Sequence, residues 1–343
     1  MRVAGKLGCI CTPYRHSRES GNPACTEQNG TAPAYVVVAN LDQLPKQAVL
    51  VVNVQSRRGQ DAFQEACEKL AAAGVDVTAQ HAIDDPERMR PVIREALEAK
   101  APMIIVGGGD GSLSSTVDDF LGHETVFAIL PLGTANSFAR TLGVPLDLDG
   151  AVRVIATGVR KRIDLGAIDG DYFANAAAMG LSPLIAETVP HNLKRWLGMV
   201  GYLLWAIRVA FKFRPFRLHV DDGKQLHKLW ATEARIANGR FHGGVELVES
   251  ADLTSGEIVV QAVTGRSLFG LAWSWFATLF KLRSRELTVQ EFRGRKLEVR
   301  ARPAQKISID GELSARTPVT VTVARAAIWV AAPREVPEIT RSS

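Results

Sequence analysis

At 343 residues, 46% of them hydrophobic, the chain can bury one large core or two ordinary ones, and its length slightly favours two. Lys and Arg number 41 against 36 Asp and Glu, so the net charge of +5 suits an anionic ligand or an acidic membrane surface and is too weak to argue for nucleic acid. Cys9, Cys11, Cys25 and Cys67 include no C-x-x-C pair, which points to reduced thiols in a cytosolic protein.

Residues 1–46 mix Gly, Pro, Ser, Asn and Arg without sustained apolar periodicity and read as a disordered extension. They hold no apolar core of the secretory kind, so export is not expected. The segment "RHSRESGNP" resembles the translation of a dispersed bacterial DNA repeat, which implies an over-extended start site. From Ala48 the texture changes: "AVLVVN" is strand-like, and "QDAFQEACEKLAAAG" sets Phe63, Cys67, Leu70 and Ala71 on one helical face, with Gly74 as the stop. A strand "VDVTAQ" follows, then a helix with Asp85 as N-cap, Pro86 at its first position, and Pro91 leaving the first turns open. Met103 to Val106 is a buried strand, "SLSSTVDDFLG" a helix starting at Ser112, "VFAIL" another strand and "NSFARTLG" a helix closed by Gly143. Such a series predicts a parallel sheet with right-handed crossovers.

Two loops of that sheet carry chemistry. Gly107, Gly108, Gly109 and Gly111 remove side chains directly after an apolar run and expose backbone N–H groups where a helix begins. That is a nest for phosphate, with Asp110 beside it as a metal-binding or catalytic carboxylate. A tight strand-to-helix turn is the plainer reading, but it needs only one or two glycines. In "PLGTANSFAR", residues 131–140, Thr134 and Asn136 supply short polar groups; Asn136 alone would read as a helix N-cap. Both loops lie at the carboxyl edge of one sheet and can converge on a single ligand.

From Arg162 short strands alternate with turns, and Asp169-Gly170 and Asp222-Gly223 are hairpin signals. The expected fold class is therefore α/β plus β. An N-terminal α/β parallel-sheet nucleotide-binding domain at 47–160 precedes a C-terminal β-sandwich substrate domain at 161–331 and a flexible tail at 332–343. Return of the last strand to the first domain is the alternative. "KRWLGMVGYLLWAIRVAFKFR", from 194, is broken by Arg208, and the apolar run from 267 is shorter than the roughly 20 residues of a membrane span. Trp273, Trp275, Phe276 and Phe280 beside Lys281, Arg283 and Arg285 suit an interfacial helix on anionic lipid, with packing onto the sandwich as the competing explanation.

Four ordered blocks, "GGDGS" at 108–112, "PLGTANSFAR" at 131–140, "RIDLGAIDGDYFANAAAMGL" at 162–181 and "ISIDGEL" at 307–313, together resemble the diacylglycerol kinase catalytic family. The resemblance spans roughly residues 48–330 and implies ATP and a lipid meeting in a cleft between two domains. It implies a cytoplasmic enzyme in transient contact with anionic membrane, without a nucleic-acid partner and with a homodimer left open. Phosphoryl transfer needs charge neutralised on the phosphates, a metal, and a base or positioner for the attacking hydroxyl. On this resemblance Asn53, Gly107, Gly108, Gly109, Asp110, Gly111, Ser112, Thr134, Asn136 and Gly311 surround ATP. Asp310 orients and deprotonates the lipid hydroxyl, Glu312 assists, and Asp110 with Glu312 holds the catalytic Mg2+. Asp110 is the rival base, and "IDGE" read alone is a hairpin turn.

Departures from the family pattern are local. Val54 follows Asn53 where the family has proline, with Arg57 and Arg58 next as phosphate contacts; Ser112 replaces the usual threonine. Ser255, in "ADLTSGEI", stands in the acidic place of a structural metal site, which puts that metal in doubt. His242 belongs to a glycine-rich turn lining the cleft. The alternatives are a kinase for a soluble hydroxyl substrate such as NAD, and a catalytically silent nucleotide or lipid sensor.

Overall fold

The computed structural model describes residues 42–55, 57–188, 205, 208, 209, 212–265, 289–310 and 312–334, with the side chains at 57, 58, 186, 187 and 312–314 outside that description. The segment 1–41, all of the apolar stretch from 267, most of the one from 194, and the tail from 335 therefore lie outside the described residues.

The first region alternates strand and helix as the periodicity predicts: β1 (Gln47–Asn53), α1 (Arg57–Ala72), β2 (Asp76–Ile83), α2 (Met89–Glu98), β3 (Met103–Gly108), α3 (Asp110–Val117), β4 (Val126–Pro131), α4 (Ser137–Leu142) and α5 (Leu148–Thr157). β3 and β4 are buried along their whole length, which unbroken apolar runs require when helices cover both faces. β2 alternates in exposure and lies at the edge. The parallel order is β4-β3-β1-β2. The chain leaves β1 in one direction, to β2, and returns on the other side as β3, so the topological switch falls between β1 and β3.

Two boundaries moved for identifiable reasons. Asp85 caps a short 3₁₀ turn, Pro86–Arg88, by accepting from Glu87 N at 3.1 Å, and the α-helix starts only at Met89. Pro91 then falls in the first turn of α2, where a missing N–H costs nothing. Helix α3 begins at Asp110, two residues before Ser112. Residues before 47 already join the fold: Gln43 bridges to Val159, Arg160 N donates to Asp42 O at 2.9 Å, and Leu44 is buried.

The second region comprises β5 (Val159–Ile168), β6 (Asp171–Phe173), β7 (Ala176–Gly180), α6 (Leu181–Thr188), β8 (Phe216–Asp221), β9 (Leu226–Ala237), β10 (Phe241–His242), β11 (Val245–Glu246), β12 (Ile258–Thr264), β13 (Val289–Gly294), β14 (Lys296–Arg302), β15 (Lys306–Ile309), β16 (Glu312–Arg316) and β17 (Val319–Ala332). It is the antiparallel β-sandwich expected. Long β9 is shared, its first half pairing with β8 and its second with β7 and β12. Phe216, Leu218, Val220, Ile236, Val260, Leu297 and Val299 fill the core between them. Asp169 at φ 51° and Gly170 at φ 103° make the hairpin turn from β5 to β6, a pair of left-handed residues matching the strand twist.

Strand β17 joins the regions. Its first half pairs with β14; after an irregularity at Ala324–Ile328, with Ala326 at φ 45°, its end runs parallel to β4 through Trp329↔Val126 and Val330↔Phe127. The final strand thus returns to the first sheet. Glu124 fastens this corner, bonding Arg160, Arg162 and the indole of Trp329, over which both guanidiniums stack.

Candidate active site

At the switch point β1 ends in Asn53 and β3 in the glycine run, and the two are tied by Asn53 Nδ2 donating to Ser112 Oγ at 3.0 Å. The glycines have distinct reasons. A Cβ on Gly107 would lie 2.9 Å from Val52, on Gly108 2.6 Å from the Ser112 Cβ, and on Gly109 3.2 Å from the Gly133 Cα. Gly111 faces open space. Three of the four therefore permit packing of the strand, the helix start and the neighbouring loop. A valine at Gly109 acts first by pushing two loops apart, a reason different from simple occupation of phosphate space.

The second loop is held by its own asparagine. Asn136 sits at the N-terminal position of α4 with φ 48°, but its side chain makes no capping bond. It accepts from Gly133 N and donates to Gly133 O, both at 2.9 Å, and is almost fully buried. Asp110 supplies the contact to that helix instead, its Oδ1 accepting from Phe138 N at 3.3 Å. Thr134 is exposed at the loop's tip.

Asp310 comes from the turn between β15 and β16, with φ 44°. The hairpin reading of "IDGE" holds, with Asp310 as its turn residue. Its Oδ2 accepts from Ser114 Oγ at 2.6 Å and Ala174 N at 3.3 Å, and its Oδ1 from Ala176 N at 3.0 Å. Ser114 stands one helical turn after Asp110, so α3 presents both to the second region. The residue keeps partial solvent access while protein surrounds its carboxylate, and burial raises the pKa above the ordinary aspartate value against the opposing pull of these donors and His242.

Ser114 and Asp310 separate two cavities. One, of about 210 Å³, is lined by Asp110, Ser137, Phe138, Asn175 and His242 as well; the other, of about 180 Å³, by Arg90, Gly111, Asp118, Gly170 and Tyr172. His242 lies where the glycine-rich turn was expected to meet the cleft. Burial lowers its pKa, as does Arg235, against Asp310, Glu233 and Asp110. Asn175 links the regions, accepting from Thr141 Oγ1 at 2.8 Å and donating to Phe241 O. Of the expected residues, the structure brings Asp110, Gly111 and Asp310 to cavity walls; Asn53, Gly107–Gly109, Ser112, Thr134 and Asn136 form the adjoining strand-end loops. Gly311 and the side chains of Glu312, Arg57 and Arg58 lie outside the described residues. Sequence reasoning missed Ser114, Ser137 and Asn175; only the Asp110–Ser114 helical spacing could have signalled the first.

Among the described residues no group of three His, Cys, Asp or Glu could hold a metal ion. A Mg2+ arriving with a nucleotide would keep several waters and take one or two carboxylates plus phosphate oxygens; Asp110, on a cavity wall, is such a carboxylate. At 252–257, where the resemblance implies a structural metal, Ser255 Oγ lies 2.9 Å from the Asp252 carbonyl and 3.2 Å from that of Glu257, and the Asp252 carboxylate accepts from Thr254 N and Oγ1, both at 2.8 Å.

A parallel sheet with a glycine loop at its switch point is thus joined to a β-sandwich whose aspartate reaches the helix behind that loop. The profile of the diacylglycerol kinase catalytic domain matches residues 47–168, and that of the YegS C-terminal NAD kinase beta sandwich-like domain matches 175–332. A probable lipid kinase YegS-like protein of Klebsiella pneumoniae is 31% identical over 222 residues, 63% of this chain and 73% of its own. A diacylglycerol kinase of Bacillus subtilis is 31% identical over 187 residues, 52% of this chain and 61% of its own. The crystal structure of a putative diacylglycerol kinase from Bacillus anthracis superposes with a TM-score of 0.72 at 23% identity, covering 85% of this chain and 99% of that one, and shares the fold. The chain belongs to the YegS/diacylglycerol kinase-like lipid kinase family. Among its described residues no helix is long and apolar enough to cross a membrane.

Proposed function

We propose that this protein transfers the γ-phosphoryl group of ATP to a hydroxyl of diacylglycerol or a related membrane lipid. The observation that carries the reading is the 2.6 Å bond between Ser114, on the helix behind the glycine loop, and Asp310, 196 residues away. It sets a carboxylate of raised proton affinity at the junction of two cavities. In this reading the glycine loop and Thr134 receive the nucleotide on the 47–160 side, and the lipid enters from the 161–331 side. Asp310 takes the proton from the acceptor hydroxyl as its oxygen bonds to the γ-phosphorus and ADP departs. Magnesium, held by Asp110 with Glu312, would neutralise charge on the phosphates. The protein then works from the cytoplasm in transient contact with the membrane.

A second reading, a kinase for a soluble hydroxyl substrate such as NAD, is favoured by the NAD kinase-like description of the C-terminal profile. The test is transfer of labelled phosphate from ATP to a panel of diacylglycerol, ceramide, sphingosine and monoacylglycerol in vesicles, with NAD alongside. Label in an organic-phase lipid product supports the lipid reading, and label in NADP replaces it. ATP binding without transfer to any acceptor would make the protein a sensor.

A further inference from the structure

The outer face of the sandwich carries a charge arrangement that folding alone does not favour. On β8, β9 and β14 the apolar residues Leu218, Val220, Leu229, Leu297 and Val299 pack on the core, so their neighbours in sequence point out. Strand register sets those outward residues in two rows across the three strands. One row runs Arg300, His219, Lys228; the next runs Arg302, Arg217, Trp230. Like charges opposite one another on a sheet are destabilising. Arg300 is paired with Glu298 at 2.6 Å, and Asp221 is turned to its own hairpin, accepting from Gly223 N. Among the described residues Arg217, Lys228 and Arg302 form no ion pair, and all three are exposed. Burial first, then the four surrounding cations Lys228, Arg302, Arg217 and Arg300, lower the pKa of His219.

We propose that this three-stranded face is the surface by which the protein docks on an anionic phospholipid membrane. The inference rests on the lipid kinase reading, which requires the protein to meet its acceptor at a bilayer, and it names the surface that does so. Three features favour a membrane over a nucleic acid. The net charge of the chain is only +5, too small for the chain-wide positive field that a nucleic acid favours. The basic rows are flanked by an exposed apolar residue on the same face, Leu226 being 46% exposed; apolar groups among cations suit a headgroup layer. And the face adjoins the site. A shallow cavity of about 520 Å³ beside His219, Arg300 and Arg302 is closed by Asp169, whose neighbours Gly170 and Asp171 line the cavity next to Asp310. One turn thus borders both, and docking here brings the bilayer to the Asp310 side of the molecule.

The experiment uses the full chain and the triple variant R217Q/K228Q/R302Q in co-sedimentation with phosphatidylcholine vesicles, with and without a third of phosphatidylglycerol, at low and high salt. Turnover on a water-soluble short-chain diacylglycerol is measured alongside. The wild type should bind only the anionic vesicles, and less so in high salt. Loss of three cations should weaken that binding about 10²-fold, with short-chain turnover unchanged. Equal vesicle binding by the two proteins overturns the proposal. So does a wild type that ignores vesicles but retains RNA through these residues, which would make the face a nucleic-acid surface. A wild type that docks through this face yet phosphorylates no lipid leaves the docking surface standing and removes the kinase reading instead.

Discussion

Replacing Asp310 by Asn keeps the size of the side chain and removes its capacity to take a proton. Asn tolerates the left-handed backbone at φ 44° as Asp does, so the turn survives. If the amide oxygen keeps the Ala176 N–H, the amide nitrogen faces Ala174 N and the Ser114 hydroxyl. The hydroxyl can rotate to accept, but the Ala174 N–H is orphaned, at a cost of about 1–3 kcal/mol. An opposing effect comes from linkage. Because the native pKa is raised, the folded protein holds this proton more tightly than the unfolded chain, and stability falls as pH rises from 3.8 through the native value. Above pH 3.8 the raised pKa therefore works against folding, and Asn, which does not titrate, removes that pH dependence. The two effects oppose one another, and circular dichroism should show the variant folded. Turnover should fall about 10²- to 10⁴-fold, the range for loss of a general base, while ATP affinity changes far less. The assay is steady-state kinetics on vesicle-borne diacylglycerol across pH, with Mg-ATP titrations. Wild-type activity should decline on the acid side with an apparent pKa above 3.8, and the variant should lack that limb. Near-normal turnover in Asp310→Asn refutes the assignment and moves the role of base to Asp110.

Ser114→Ala removes a donor that lowers the Asp310 pKa, so the acid limb of the pH–rate profile should shift upward with ATP affinity unchanged. Asn136→Ala loses both bonds to Gly133 and strains an alanine at φ 48°, which together should cost about 3 kcal/mol in urea denaturation. Gly133→Ala puts a Cβ 2.5 Å from the Gly109 Cα and should lower both Tm and ATP affinity, measured by calorimetry. Gly111→Ala meets nothing within 4 Å and adds helix propensity, so its Tm should hold or rise; reduced ATP affinity there would mark where the phosphates approach.

The periodicity of residues 48–158 was enough to determine a parallel α/β sheet, because apolar runs flanked by amphipathic helices have few other ways to bury their faces. The turn pairs Asp169-Gly170 and Asp222-Gly223 likewise announced hairpins from local backbone preference, and the glycine and "IDGE" blocks marked two loops whose residues Asp110, Gly111 and Asp310 line cavities. These signals are local. What they could not determine is which residues meet across the fold. Gly109 is small because Gly133 comes within van der Waals contact of it, Asn136 spends its side chain on a neighbouring loop rather than on a helix end, and both facts depend on how β3 and β4 pair. The return of β17 to β4 turns on a left-handed residue at Ala326, a conformation that an alanine in an apolar strand does not advertise. Ser114, unremarkable in "DGSLSS", becomes the partner of Asp310 only when β15, paired against β7, carries that aspartate to the face of α3. Local propensity specifies elements and their turns, whereas strand register and chain crossing bring distant side chains together, and the site consists of such distant pairs.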